Sequence, residues 1–128
     1  MHKSIIYTPD APAPIGPYSQ GVIAGGSFLF LSGQIALSSD GLMHGATASE
    51  QTSQALRNIS ALLTAAGCTS DNVVKATIYL QDMNDFAEVN AVYAEFFGES
   101  KPARSTVQVA RLPKDALVEI EVIAVCGG

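Results

Sequence analysis

Residues 102–125, with the sequence PARSTVQVARLPKDALVEIEVIAV, decide the fold of this chain. Residues 104–109 and residues 117–125 each alternate with a period of two and are rich in β-branched side chains. Both properties are typical of β-strands. Between the two runs, Pro113 has no backbone N–H for a strand ladder and favours a loop. The stretch therefore predicts an antiparallel hairpin with a long connecting loop.

Charged residues interrupt both predicted strands. In hairpin registers that bring the apolar faces together, Arg104 and Thr106 share the other face with Glu119 and Glu121. One interpretation is a solvated surface with a cross-strand salt bridge, which contributes little when it is exposed. The other is a built site, because Ile123 continues the same face and a buried charge needs a partner or a ligand.

Composition limits the classes of protein to which the chain can belong. With 128 residues, 48% of them hydrophobic and 15% charged, it fits a single domain spanning residues 1–128, and its apolar character favours a homo-oligomer. A net charge of -5 without clustered Lys or Arg argues against a nucleic-acid partner. The chain has neither a signal-peptide core nor an apolar run of about 20 residues, so we expect a cytoplasmic protein without a membrane partner.

Cysteine and histidine are scarce. Cys68 and Cys126 are isolated and lack metal-ligand spacing, so we expect no disulfide framework and a free thiol at Cys68. His2 and His44 are the only histidines. A histidine-based catalyst and a metal site are therefore not expected.

The remaining sequence predicts four further strands and two helices. Gly25-Gly26 is a two-residue hairpin signal between the second and third strands. Thr47-Ala-Ser-Glu50 fits a capping box that opens the first helix, and Asp85-Phe-Ala-Glu88 does the same for the second. In the third strand, Ser32-Gly33 indicates a bulge, a close approach of a ligand, or a packing accommodation. The further strands are expected at residues 3–7, 20–24, 27–35 and 72–80.

This order of elements, β-ββ-α-β-α-ββ, matches an α+β fold with two helices on one face of a mixed sheet. No helix remains for the other face of the sheet. We therefore expect neighbouring subunits to cover it.

The chain contains six short motifs in this order: APIGPYSQG at 13–21, LSGQI at 31–35, VNAVY at 89–93, PARS at 102–105, VARLPKD at 109–115 and EIE at 119–121. In these motifs the chain resembles the RidA/YjgF/YER057c/UK114 family of enamine and imine deaminases over essentially its whole length. The resemblance implies a chorismate-mutase-like (YjgF) α+β fold with a mixed six-stranded sheet. It also implies a homotrimer with clefts between subunits, no cofactor, and hydrolysis of 2-iminopropanoate and 2-iminobutanoate to 2-oxo acids and ammonia.

The resemblance also suggests roles for individual residues. Arg104 would bind the substrate carboxylate, and Glu119 would engage the attacking water. Thr106, a further substrate-binding position, stands where many family members have Cys, which excludes a thiol nucleophile there. The other residues expected to line the pocket are Tyr18, Ser32, Gly33 and Asn90.

Elementary chemistry agrees with these roles. A planar guanidinium binds a planar carboxylate through two hydrogen bonds, which positions the adjacent C=N carbon for a water held or deprotonated by Glu119. Two other functions remain open. The first is a non-enzymatic sensor that binds 2-oxo acids or similar metabolites in the same cleft. The second is RNA cleavage or inhibition of translation, which the acidic charge balance disfavours.

Overall fold

The computed structural model of this chain describes residues 2–126. Six strands and two α-helices follow one another in the predicted order. The strands are β1 His2–Ile6, β2 Gly21–Gly25, β3 Ser27–Phe30, β4 Val73–Leu80, β5 Ala103–Gln108 and β6 Val118–Cys126, and the helices are α1 Ala48–Ala65 and α2 Phe86–Phe97.

The six strands form two sheets instead of one. A four-stranded sheet has the order β3-β6-β4-β5, and β1 and β2 form a separate antiparallel pair. The larger sheet is mixed, as predicted, because β4 runs antiparallel to β6 and parallel to β5. The predicted hairpin between β2 and β3 is wrong: only Gly26 separates these strands, which is too short for a two-residue turn. With a φ of 129°, Gly26 instead redirects the chain from one sheet to the other.

The predicted hairpin of β5 and β6 is also wrong, because β4 lies between these strands. Ala76 of β4 pairs with Arg104 on one side and with Val122 on the other, so Arg104 shares a face with Val122. Glu119 pairs with Tyr79 and lies on the opposite face. The prediction that Arg104 and Glu119 share a face is therefore incorrect within one chain. The physical reason is that periodicity determines which residues of a strand face the same way but not which strand lies beside it.

The two helices cover one face of the larger sheet, as expected. The first capping box is confirmed, since Thr47 Oγ1 accepts a hydrogen bond from the Glu50 N–H and the Glu50 carboxylate accepts one from the Thr47 N–H. Asp85 forms no such side-chain bond because it ends a 3-10 turn in helical geometry. Within residues 2–126, neither helix is both long and apolar enough to cross a membrane. The core is centred on Leu56, Ile59, Leu63, Ile78, Leu80, Val89, Tyr93, Val118, Ile120 and Val122.

Cys68 and Cys126 are joined as a disulfide, so the predicted free thiol at Cys68 is wrong. Their Cα atoms are 5.7 Å apart, within the usual range for this bond. Cys68 follows α1 and Cys126 ends β6, and α1 packs against β6. The sequence separation of 58 residues conceals this proximity.

The disulfide should contribute measurably to stability. Because it closes a long loop in the unfolded chain, its reduction is expected to lower the free energy of unfolding by about 2–4 kcal/mol. Thermal unfolding monitored by circular dichroism, with and without dithiothreitol, measures the effect. The Cys68→Ser/Cys126→Ser variant is the control and should not respond to the reductant. An unchanged midpoint for the reduced wild type would contradict the prediction.

Candidate functional site

Arg104 is the centre of a polar and aromatic cluster between β5 and α2. Its Nη1 donates a hydrogen bond of 2.6 Å to Asn90 Oδ1. Its Cζ lies 5.1 Å from the ring centroid of Tyr18, 5.6 Å from that of Phe86 and 4.8 Å from that of Tyr93. These contacts hold the guanidinium in one place and leave most of its N–H groups free.

The electrostatic setting of Arg104 favours an anionic ligand. Burial lowers the pKa of Arg104 from its usual value, while Tyr93 and Tyr18 partly oppose that effect. No Asp or Glu forms an ion pair with Arg104 within residues 2–126. A half-buried cation without a counter-ion is stabilised when an anion binds to it.

A cavity of about 240 Å³ opens beside the guanidinium. Strand β5 forms part of the wall and contributes Thr106. The Oγ1 atom of Thr106 is buried and has no hydrogen-bond partner among the described residues. At Gly16, a Cβ atom would lie 3.4 Å from Arg104 Nη2 and 3.3 Å from the Tyr18 ring, so the absence of a side chain permits this close approach. We call this cavity the Arg104 pocket; it is lined by Ile15, Gly16, Tyr18, Phe86, Arg104 and Thr106.

The proline-rich segment before β2 forms one wall of the Arg104 pocket and is held by its own side chains. Gln20 Nε2 donates to the carbonyl oxygens of Ala11 at 3.2 Å and Pro12 at 2.8 Å. The Ser19 N–H donates to the Pro102 carbonyl at 3.3 Å, which ties the segment to the start of β5. The wall is therefore anchored at both ends.

Glu119 lies on the sheet face that the helices leave uncovered. Its neighbour Glu121 accepts a hydrogen bond of 2.5 Å from the Tyr79 hydroxyl, and this bond raises the pKa of Tyr79. The Glu119 carboxylate accepts no hydrogen bond from the described residues. Of the two carboxylates, Glu119 is thus the one left free to hold a water molecule.

A bulge in the extension of β3 makes room for the Glu119 carboxylate. The pairing with β6 shifts by one residue between Phe30 and Gln34, so the structure has a bulge here, which is one of the three alternatives considered for Ser32-Gly33. A Cβ atom at Gly33 would lie 2.8 Å from the Glu119 Cδ, which is shorter than the distance at which two non-bonded carbon atoms can lie. Ser32 is exposed in the same bulge. We call Ser32, Gly33 and Glu119 the Glu119 face.

The seven expected site residues thus form two groups. Four of them surround the Arg104 pocket, and the other three form the Glu119 face on the opposite side of the sheet. The group around the Arg104 pocket is Tyr18, Asn90, Arg104 and Thr106. A single chain therefore divides the expected site residues into two separate groups, which we call half-sites.

Sequence patterns did not single out three residues that build the Arg104 pocket. Gln20 orders its wall, while Phe86 and Tyr93 contribute aromatic rings next to Arg104. The sequence does contain a pattern that could have revealed two of them. Phe86, Asn90 and Tyr93 are spaced i, i+4 and i+7, which places them on one face of the helix. A polar Asn between two aromatic residues on such a face indicates a site and not a uniform core.

The group formed by Ser38, Asp40 and His44 does not form a second catalytic site. His44 Nε2 lies 2.9 Å from Ser38 Oγ and 3.5 Å from Asp40 Oδ2. Because the same nitrogen faces both groups, this exposed cluster lacks the arrangement of a catalytic triad. Within residues 2–126, no three His, Cys, Asp or Glu side chains are grouped so that they could hold a metal ion.

The fold agrees with comparisons to known proteins. Residues 8–126 match the family model described as Endoribonuclease L-PSP, the RidA/YjgF family. The chain belongs to this family. A RutC family protein of Pyrococcus horikoshii is 56% identical over 123 residues, covering 95% of this chain and 97% of the relative. A bovine relative named 2-iminobutanoate/2-iminopropanoate deaminase is 51% identical over 127 residues, covering 98% and 91%.

Solved structures support the same assignment. The Escherichia coli TdcF protein with bound serine is 45% identical and has a TM-score of 0.74, with coverage of 97% of this chain and 99% of that one. Yeast Mmf1 is 39% identical and has a TM-score of 0.77, with coverage of 98% and 100%. The family resemblance in the motifs and the α+β fold are therefore confirmed.

Proposed function

We propose that this RidA/YjgF-family chain is a hydrolase that converts reactive 2-imino and enamine acids, such as 2-iminopropanoate and 2-iminobutanoate, to 2-oxo acids and ammonia. The observation that carries the proposal is the half-buried Arg104, which has aromatic and amide neighbours but no acidic partner among residues 2–126. A small carboxylate is the anion that suits its planar fork.

Two relatives support this substrate class. The bovine relative is named a deaminase of 2-iminobutanoate and 2-iminopropanoate, and the TdcF structure holds serine, which also carries a carboxylate. By analogy, we infer a small molecule as the ligand of this chain. The proposed reaction uses no cofactor, and we infer from the net charge of -5 without clustered Lys or Arg that nucleic acid is not a partner. We also infer that it acts in the cytoplasm, without a membrane partner.

The proposed reaction adds one water molecule across the C=N bond. Arg104 binds the carboxylate through its free N–H groups, and Asn90 keeps the guanidinium oriented. Glu119 accepts a proton from the water as the water oxygen attacks C2 of the protonated imine, giving a neutral tetrahedral carbinolamine. Glu119 then returns this proton to the amine nitrogen. The C–N bond breaks and ammonia leaves, while Glu119 accepts the remaining hydroxyl proton so that the C2 oxygen becomes a carbonyl; that proton finally passes to ammonia. Orientation of the two reactants is the main contribution, because such imines already hydrolyse in water.

We further propose that the complete cleft forms between subunits of a homotrimer. Arg104 and Glu119 lie on opposite faces of one sheet, so they can meet only across a junction between chains. The uncovered face also carries apolar side chains that favour burial: Phe28 is 52% exposed and Phe30 71%. In this arrangement the Arg104 pocket of one subunit faces the Glu119 face of the next.

A non-enzymatic sensor of 2-oxo acids is the second candidate function. It is favoured by the absence of any carboxylate from the lining of the Arg104 pocket, which could bind an acid without acting on it. A dehydratase-coupled assay with a panel of amino-acid precursors distinguishes the two functions. Acceleration of 2-oxo acid release above the spontaneous rate supports the deaminase. Binding of 2-oxobutanoate without acceleration supports the sensor and refutes the deaminase.

Replacing Gly33 with alanine should damage the Glu119 face specifically. The added Cβ would displace the Glu119 carboxylate, so we expect kcat for 2-iminobutanoate hydrolysis to fall by about tenfold or more. Affinity for 2-oxobutanoate, which depends on Arg104, should change little. Gly25→Ala is the matched control, because a Cβ there has nothing within 4 Å. Equal kcat values for the two variants would show that the cradle at Gly33 is dispensable.

A further inference from the structure

We propose that Phe86 and Tyr93 are positioning residues, whose rings, together with that of Tyr18, hold the charged guanidinium of Arg104 while leaving its N–H donors free for a carboxylate. The inference rests on the proposed carboxylate-binding role of Arg104. It assigns a task to two aromatic side chains that otherwise belong only to the packing of α2.

The distances place all three rings within reach of the charge. Cation–π attraction acts within about 6 Å of a ring centroid, and the three centroids lie 4.8, 5.1 and 5.6 Å from the Arg104 Cζ. Phe86 lines the Arg104 pocket and is partly buried, whereas Tyr93 is fully buried beneath it. The cation is thus bounded by rings from α2 and from the proline-rich wall.

Aromatic rings stabilise the cation without two disadvantages that an acidic partner would have. A carboxylate from Asp or Glu would stabilise the half-buried cation, but it would also occupy N–H donors and repel an anionic ligand. The negative face of a ring stabilises the cation without accepting those hydrogen bonds. Of the five guanidinium N–H groups, the described contacts use only one on Nη1, which donates to Asn90.

The ring of Tyr93, and not its hydroxyl, performs this task. The hydroxyl is buried without a hydrogen-bond partner among the described residues, and burial raises the pKa of Tyr93, so the phenol stays neutral. A neutral ring contributes its quadrupole only. Tyr93→Phe should therefore keep ligand affinity, and it should not lower the melting temperature, because it removes an unsatisfied polar group.

Phe86 provides the sharpest test because it is not fully buried. Calorimetric titration with 2-oxobutanoate measures the affinity of Arg104 for a carboxylate without any turnover. Phe86→Leu, which keeps an apolar side chain but no ring, should raise the Kd and the KM by about three- to tenfold and leave kcat nearly unchanged. Phe86→Tyr, which keeps the ring, should retain the wild-type values.

A fluorinated ring separates electrostatics from packing. Incorporation of 3,4,5-trifluorophenylalanine at position 86 preserves the shape but weakens the negative ring face, so the Kd should rise toward that of Phe86→Leu. If Phe86→Leu proves unstable, this variant still tests whether the ring at position 86 contributes to the affinity for 2-oxobutanoate. An unchanged Kd with the fluorinated ring, or an equal loss in Phe86→Tyr, would overturn the inference.

The titration keeps this inference separate from the proposed activity. If the wild type binds 2-oxobutanoate but does not hydrolyse imines, the deaminase proposal fails while the roles of Phe86 and Tyr93 remain supported by the ring-dependent Kd. If imine hydrolysis is accelerated but the Kd is insensitive to the ring at position 86, only the positioning role fails.

Discussion

Replacing Arg104 with alanine should lower kcat/KM for 2-iminobutanoate hydrolysis by about 100-fold or more. The substitution removes a two-pronged, charge-assisted contact with the carboxylate, and loss of such a contact typically costs 2–5 kcal/mol. Most of the loss should appear in KM, with a further decrease in kcat because C2 is no longer aligned with the water. Initial rates of 2-oxobutanoate release, measured over a range of imine concentrations, give both constants.

Two further variants distinguish the geometry of Arg104 from its charge. Arg104→Lys keeps the positive charge but loses the planar fork and the bond to Asn90, so its kcat/KM should lie between those of the wild type and Arg104→Ala. Arg111→Ala is the matched control, because Arg111 is exposed and pairs only with Asp115. Its activity should be unchanged. A fully active Arg104→Ala variant with a normal melting temperature would refute the proposed function.

The melting temperature of Arg104→Ala should remain close to that of the wild type. The cation lacks an acidic partner in the part of the chain that the structure describes. Burial also depresses the pKa of Arg104, which means that folding disfavours its charged form. Removing it relieves this cost, which offsets the lost contacts with the rings. Arg104 is thus retained at some expense of stability, as expected for a functional residue.

Local sequence signals predicted the elements of the fold well. The capping box at Thr47 and Glu50 depends on neighbours three residues apart, and the structure contains both of its hydrogen bonds. The bulge at Ser32-Gly33 likewise depends on a glycine inside an apolar strand. These features are determined by short-range geometry, which a sequence records directly.

Long-range features were harder to predict, because they depend on which elements become neighbours. Residues 104–109 and 117–125 have the alternation of a hairpin, yet β4 pairs with both strands and separates them. The chain reaches β5 through α2, and this helical crossover permits the parallel pairing. The disulfide between Cys68 and Cys126 was missed for the same reason, since its partners meet only after α1 packs on β6.

The candidate site was partly predictable. Family motifs suggested the residues of both groups, but the assumed hairpin placed Arg104 and Glu119 together on one face. The structure separates them across the sheet. Under the proposed function, the two groups must therefore meet across a junction between chains, because no movement of side chains within one chain brings them together.

Mixing two inactive variants should therefore restore activity. In a cyclic trimer, a working cleft needs an intact Arg104 from one subunit and an intact Glu119 from the next. Arg104→Ala and Glu119→Gln homotrimers each lack one of these groups in every cleft, so both should show only a small fraction of wild-type activity. After random exchange of equal amounts of the two subunits, about a quarter of the clefts would contain both native residues. The mixture should thus recover about a quarter of the wild-type rate.

The exchange can be followed with two affinity tags, which allow mixed trimers to be purified and assayed for 2-oxobutanoate release. The same mixture assayed before exchange is the first control and should be inactive. A double variant, Arg104→Ala/Glu119→Gln, exchanged with either single variant is the second control and should stay inactive, because no cleft can then combine both native groups. If Arg104 and Glu119 acted within one chain, every cleft of the mixed trimer would still lack one of them. Purified mixed trimers without recovered activity would contradict the intersubunit cleft. Each of them contains one cleft of three with both native residues, so recovery of about one third of the wild-type rate in purified mixed trimers, or about one quarter in the unpurified exchanged mixture, would support it.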